Sequence, residues 1–234
     1  MRGLPFYLFI ATSIVLSSSC LAQTTLGLAG VQASSTSTYA YAGEIRPLNG
    51  NSLGQGGYRK IILSWLAYDY QTMVNSVDTN IQVKSPGIEA GFGYAWKAAS
   101  LNLDVSAMAG YRHRSFSPVV PSDERAGTVL TLSPQLQASL DLRAGFDADV
   151  LANHAIGLGS TFARVRVGWK PEASWRVGVE GIQSQGPTYR VRQQGAFVMW
   201  PLTRDVSIDL SAGRAKSQDG VQSGYLGLGL SRLF

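Results

Sequence analysis

The chain has 234 residues, with 20 Lys/Arg against 15 Asp/Glu, 26 Gly, 9 Pro and one Cys. This length suits one medium domain, and a charged fraction of only 15% argues against a disordered polyelectrolyte. One cysteine excludes an internal disulfide framework and any multi-cysteine zinc site. No apolar run long enough for a spanning helix follows the N-terminus, and no basic run marks a nucleic-acid footprint.

The N-terminus reads as an address. Met1-Arg2 gives a short positive start, Leu4 to Leu16 an apolar stretch, and Ser17 to Ala22 a small-residue region before Gln23. That order is the pattern of a signal peptide over 1–22, cleaved after Ala22. A lipidated Cys20 is the rival reading; Ser17, where a leucine is expected, argues against it. Residues 23–234 are then expected to form a single exported domain.

Beyond Gln23 the dominant pattern is alternation. Twelve strands are predicted over residues 24–34, 37–47, 58–72, 80–97, 100–114, 126–140, 142–153, 160–170, 174–184, 188–200, 204–216 and 223–234. Ile88, Ala90, Phe92, Tyr94 and Trp96 alternate with Glu89, Gly91 and Gly93; Leu101, Leu103, Val105 and Ala107 alternate with Asn102, Asp104 and Ser106. Leu130, Leu132, Leu136, Ala138 and Leu140 alternate with Thr131, Ser133, Gln135, Gln137 and Ser139. Ala163, Val165, Val167 and Trp169 alternate with Arg164, Arg166 and Gly168, and later runs repeat the pattern. A period of two marks strands with one apolar and one wet face. Pro86 is expected to bend or shorten its strand, and Pro134 to force a bulge or bend.

Alternation also suits a soluble β-sandwich, and three features favour a closed antiparallel transmembrane β-barrel of about 12 strands. The polar face carries charge in mid-strand: Glu44, Glu89, Asp104, Arg143, Asp147, Arg164, Arg166, Glu180, Arg190, Arg192 and Asp209 are expected to line a lumen. Trp96, Trp169, Trp175, Trp200 and Phe234 close apolar faces, as in an aromatic girdle. Short connections such as Lys97-Ala98-Ala99 alternate with the long segment Arg112 to Arg125, although Pro47 to Gly57 is long where a short turn is expected. The chain ends on Tyr225 to Phe234 with Leu226, Leu228 and Leu230 on one face, which resembles the terminal strand of bacterial outer-membrane barrels; Arg232 departs from it.

Gly27-Leu28-Ala29-Gly30, Thr38-Tyr39-Ala40-Tyr41-Ala42-Gly43 with Arg46-Pro47-Leu48, and Gly87 to Tyr94 form a set of glycine-aromatic pieces. Gly110-Tyr111-Arg112 with Ser117-Pro118 and Pro121, Gly127, Gln137, Phe162 to Gly168, Tyr189-Arg190 with Gly195 to Val198, and Gly224-Tyr225 continue it. Together they resemble the BcsS-type cellulose biosynthesis protein family of Gram-negative bacteria. The resemblance implies a non-enzymatic outer-membrane accessory of cellulose biosynthesis or export. Its partners would be outer-membrane lipid and cellulose or other components of the secretion machinery, with no nucleic acid. It brings no catalytic residue, cofactor or metal.

The residues leave two other functions open. A cation-rich lumen wall suits a small-solute porin-like channel or a structural barrel. A loop hydrolase would need His113 or His154, which lack ligand-spaced carboxylates and read as solvated loop residues. Asp147 and Asp149 share a strand face and are expected to meet arginines, while arginines with Tyr68, Tyr70 or Tyr94 suit sugar contacts. Gly54-Gln55-Gly56-Gly57 precedes no helix and so is no phosphate loop.

Overall fold

The structure is a computed structural model describing residues 25–234 apart from 49, 75, 120–125, 173–174 and 219. The expected leader at 1–22 lies outside the described residues. The strands are β1 (Leu26–Ser34), β2 (Ser37–Pro47), β3 (Gly56–Val74), β4 (Val77–Ala98), β5 (Leu101–Ser117) and β6 (Gly127–Asp141). They continue as β7 (Phe146–Ala155), β8 (Ser160–Glu172), β9 (Trp175–Gln185), β10 (Arg190–Pro201), β11 (Val206–Ser217) and β12 (Gln222–Leu233). Each pairs antiparallel with its sequence neighbours, and β1 pairs β12 from Leu26↔Leu233 to Ser34↔Tyr225, closing the barrel. Closure satisfies the N–H and C=O groups that an open edge would expose to hydrocarbon at several kcal/mol each.

Outward positions carry the apolar half of each alternation. Leu63, Phe92, Val105, Leu136, Val150, Val165, Val179, Leu210 and Leu228 are all exposed. Such a continuous apolar wall matches lipid rather than water. Trp96, Trp169, Trp175, Trp200 and Phe234 are exposed at the end of the barrel where β1 begins and β12 ends. Phe146 stacks on Trp169 at 6.5 Å and Tyr94 packs on Trp96 at 4.6 Å. The five expected girdle rings therefore form one belt at one end of the barrel, called the inner end. At the opposite end β3, β4 and β5, with 19, 22 and 17 residues, outrun the ten or so that a tilted span needs.

Neither proline shortens its strand or inserts a bulge. β4 runs through Pro86 without shortening, and its register with β5 is the same at Lys84↔Ser115 and Gly87↔Arg112. Between those pairs the ladder has a gap, into which Arg112 Nη1 donates to the Ser85 carbonyl at 2.8 Å. At Pro134 the β6–β7 register is likewise kept from Gln135↔Asn153 to the Leu132↔Ile156 bridge, so no bulge forms. A missing N–H removes a rung, and a side chain or a skipped rung absorbs the loss without an inserted residue. The seventh strand begins later than predicted: Arg143–Gly145 forms one 3-10 turn, with Ala144 at φ 58°, and β7 starts at Phe146.

Candidate functional site

Hydrogen bonds between strands that are not neighbours can run only through the barrel interior, and they define the lumen. Arg166 on β8 is its centre. Its Nε donates to Glu180 Oε2 at 2.7 Å, and its two terminal nitrogens hold the Asp209 carboxylate. The Tyr225 hydroxyl donates to the other Glu180 oxygen at 2.8 Å. Glu180 is wholly buried and Arg166 is 6% exposed at its side chain. A second knot lies toward the inner face, where Arg176 Nε donates to Asp147 at 2.7 Å and its Nη2 meets Asp149 at 2.6 Å. Lys170 adds contacts of 3.1 Å to Asp147 and 3.2 Å to Asp141. The Phe197 ring lies 4.4 Å from the Arg166 guanidinium carbon and 4.9 Å from that of Arg176, bridging the two knots by cation–π contact.

Glycines make room for these side chains. A Cβ on Gly213 would sit 2.5 Å from the Gly195 Cα and 2.7 Å from the Tyr225 ring. A Cβ on Gly30 would sit 2.8 Å from the Tyr41 ring. At these two positions a tyrosine lies over a bare cross-strand glycine.

Beyond the two knots the interior is hollow, bordered by strands from β1 to β11. Among its polar contacts, Lys60 Nζ donates to Gln135 at 3.1 Å, Tyr58 donates to Asp104 at 2.6 Å, and Thr131 and Ser133 both donate to Glu89. Gln32 on β1 donates to Gln193 on β10 at 2.6 Å across the lumen. A cavity of about 730 Å³ runs from the outer strand ends down to Leu28, Ile45 and Gln137. Its wall carries Tyr39, Tyr41, Tyr68 and Tyr189 together with Arg112 and Arg164. Tyr39 and Tyr41 stack at 5.8 Å. Tyr189, from the β9–β10 connection, packs on Tyr68 of β3 at 4.9 Å, drawing that connection over the mouth. Burial pushes the Tyr189 hydroxyl above its ordinary pKa, so it stays a donor. Tyr68 is 7% exposed and its hydroxyl has no hydrogen-bond partner among the described residues.

Ile45 and Gln137 also border a second recess of about 250 Å³ at the inner face. Ser52, Leu53 and Gly54, from the unexpectedly long connection after Pro47, line that recess. The connection is held by Leu48 N to Gly57 O at 2.9 Å and Asn51 Nδ2 to the same carbonyl at 3.3 Å.

The structure brings Glu89, Asp104, Asp147, Arg164, Arg166, Glu180 and Asp209 to the interior. Three expected lumen residues lie elsewhere. Arg143 is exposed in the 3-10 turn. Glu44 shares a face with Ala40 and Ala42 and pairs with the exposed Ile61, while Tyr41 and Ile45 take the cavity side. Arg192 is exposed between buried Gln193 and the cavity-lining Val191. Glu44 and Arg192 each sit near a strand end, where a charged head on the outer wall reaches water beyond the apolar band. Arg190 stands exposed on the cavity rim. Of the proposed sugar-contacting tyrosines, Tyr68 and Tyr70 line the cavity and Tyr94 belongs to the outer wall. His113 and His154 are exposed and meet Thr128 and Thr161 on adjacent strands, at 3.2 Å and 2.8 Å.

Sequence reasoning missed Arg176, Arg112, Lys60, Tyr39, Tyr41 and Tyr225 as interior residues. Parity was the available signal: each sits in step with a glycine or polar residue of its own strand.

Solved structures of similar fold are outer-membrane barrels. The KdgM porin superposes with a TM-score of 0.52 at 10% identity, covering 89% of this chain and 99% of that one. An outer membrane channel from Pseudomonas putida F1 gives 0.53 at 11%, covering 92% and 97%. The transport unit of the autotransporter AIDA-I from Escherichia coli gives 0.52 at 10%, covering 94% of each. At such identities the likeness is one of fold. No curated protein sequence matches the chain. The family model for cellulose biosynthesis protein BcsS matches residues 27–234, the whole barrel, and the chain belongs to that family.

Proposed function

We propose that this protein is a non-enzymatic outer-membrane accessory of cellulose biosynthesis or export, delivered by a cleaved leader, whose tyrosine-lined cavity engages glucan from the outer side. The observation that carries the reading is the cavity itself. Tyrosine faces suit the C–H faces of pyranose rings, while Arg112, Arg164, Glu89 and the free Tyr68 hydroxyl offer partners for sugar hydroxyls. A few placed polar groups among rings is the usual build of a small-ligand site. The KdgM porin, alike in fold only, has been captured in complex with disordered oligogalacturonate. The lumenal carboxylates are tied to arginine, lysine, tyrosine or hydroxyl partners, an arrangement that favours structure over acid–base chemistry.

Titration of the folded protein in detergent with cellohexaose, followed by tyrosine and tryptophan fluorescence, tests the site. Saturable binding that weakens at least tenfold in Tyr39→Ala/Tyr41→Ala supports it; no binding to the folded wild type rejects it. A second reading, a small-solute channel, is favoured by the neck at Ile45 and Gln137 that both cavities share. Frequent, large conductance steps of the wild type in planar bilayers would favour that reading.

A further inference from the structure

Three cations on the outer wall are left unused by the lumen and the cavity. Arg192 on β10 and Lys216 on β11 are directly opposed, and Arg214 lies two residues below Lys216, facing Gln194 on one side and Gly224 on the other. All three side chains are exposed on the lipid-facing parity, alternating with buried Gln193 and Ala215. Among the described residues no carboxylate pairs with any of them. Like charges set directly opposite across a ladder repel, so the sheet holds this arrangement most favourably with an anion between them.

Their height on the barrel specifies the anion. Outward positions on β10 run from Trp200 in the inner belt through Val198, Ala196 and Gln194 to Arg192. Those eight steps at about 3.4 Å, on a strand tilted about 40°, rise about 21 Å. On β11 the eight steps from Ile208 to Lys216 rise equally, and the apolar band of such barrels is about 25 Å tall. The cluster therefore stands where the outer hydrocarbon boundary meets the headgroups. Beside it, a Cβ at Gly181 would meet nothing within 4 Å and one at Gly224 only the Gly213 carbonyl oxygen at 3.8 Å, so the wall has room on each side. Two guanidinium forks and an ammonium at this depth match phosphate oxygens.

We infer that Arg192, Arg214 and Lys216 form a binding site for the phosphate groups of an outer-leaflet lipid. The site depends on the inner and outer assignment of the barrel ends and is independent of any role in cellulose production. A phosphorylated lipid seated there would fix the tilt and depth of the β10–β12 wall.

The test uses the full chain folded in detergent, titrated with bisphosphorylated lipid A at low salt and read by native mass spectrometry. The wild type is expected to bind saturably, and R192Q/R214Q/K216Q at least tenfold more weakly. Monophosphorylated lipid A is expected to bind less tightly than the bisphosphorylated form. K97Q/R143Q, which removes two exposed cations from the other end of the barrel that are not opposed to one another, is expected to bind like the wild type. Should the triple variant not fold, R214Q alone is expected to show at least a threefold loss. Equal affinity of wild type and cluster variants overturns the inference, as does an equal loss in K97Q/R143Q. Displacement of the lipid by equimolar inorganic phosphate also overturns it, since the site would then belong to the free ion.

Discussion

The Tyr225 hydroxyl donates to Glu180 at 2.8 Å, tying the last strand of the chain to β9 through the middle of the barrel. The same carboxylate receives Arg166 Nε at 2.7 Å, so one buried anion fastens β8, β9 and β12 at once. Tyr225→Phe keeps the ring and removes one of those ties. It is expected to destabilise the folded barrel by about 1–3 kcal/mol, read as a lower urea midpoint of unfolding in detergent.

Arg166→Met is expected to be worse. It leaves Glu180 and Asp209 without their cation in a buried setting, a loss of about 3–5 kcal/mol. Neutralising the partners as well, in Arg166→Met/Glu180→Gln/Asp209→Asn, removes the stranded charges, so the triple variant is expected to recover part of the loss. A triple variant less stable than Arg166→Met would show that the network does not act as one electrostatic unit.

Gly213→Val tests the seat under Tyr225. The added Cβ would meet the Tyr225 ring at 2.7 Å and the Gly195 Cα at 2.5 Å, and backbone cannot yield as a flexible side-chain tip can. The variant is expected to lose the heat-modifiable band on gels that marks a closed barrel. Gly224→Ala, where no side chain approaches, is expected to keep it.

Strand number and span were readable because the apolar half of the period faces lipid, where polar side chains are costly. Charge alone was a poorer guide to direction. Arg166 and Arg192 look alike in the sequence, yet the first turns inward among acids and the second outward at the membrane boundary. The interior is also less polar than a solvated face would be. Phe197 and Ile182 are buried inside it, the former as a platform for two guanidinium groups, which blurs the alternation of β9 and β10. Which side chains meet across the lumen depends on closure, and no local pattern records that Gln32 reaches Gln193.

The inner connection at 48–55 is expected to act as a floor. Replacing it with a two-residue turn should uncover the recess lined by Ser52, Leu53 and Gly54 and join it to the larger cavity through the neck at Ile45 and Gln137. Planar-bilayer recordings should then show larger conductance steps than the wild type. Identical traces would place the constriction elsewhere in the lumen.

Extracellular cellulose in a deletion strain complemented at equal expression is the most direct measurement. Wild-type protein is predicted to restore output, and Tyr39→Ala/Tyr41→Ala, folded and in the outer membrane, to restore less than half of it. Unchanged cellulose on deletion of the gene would contradict the account.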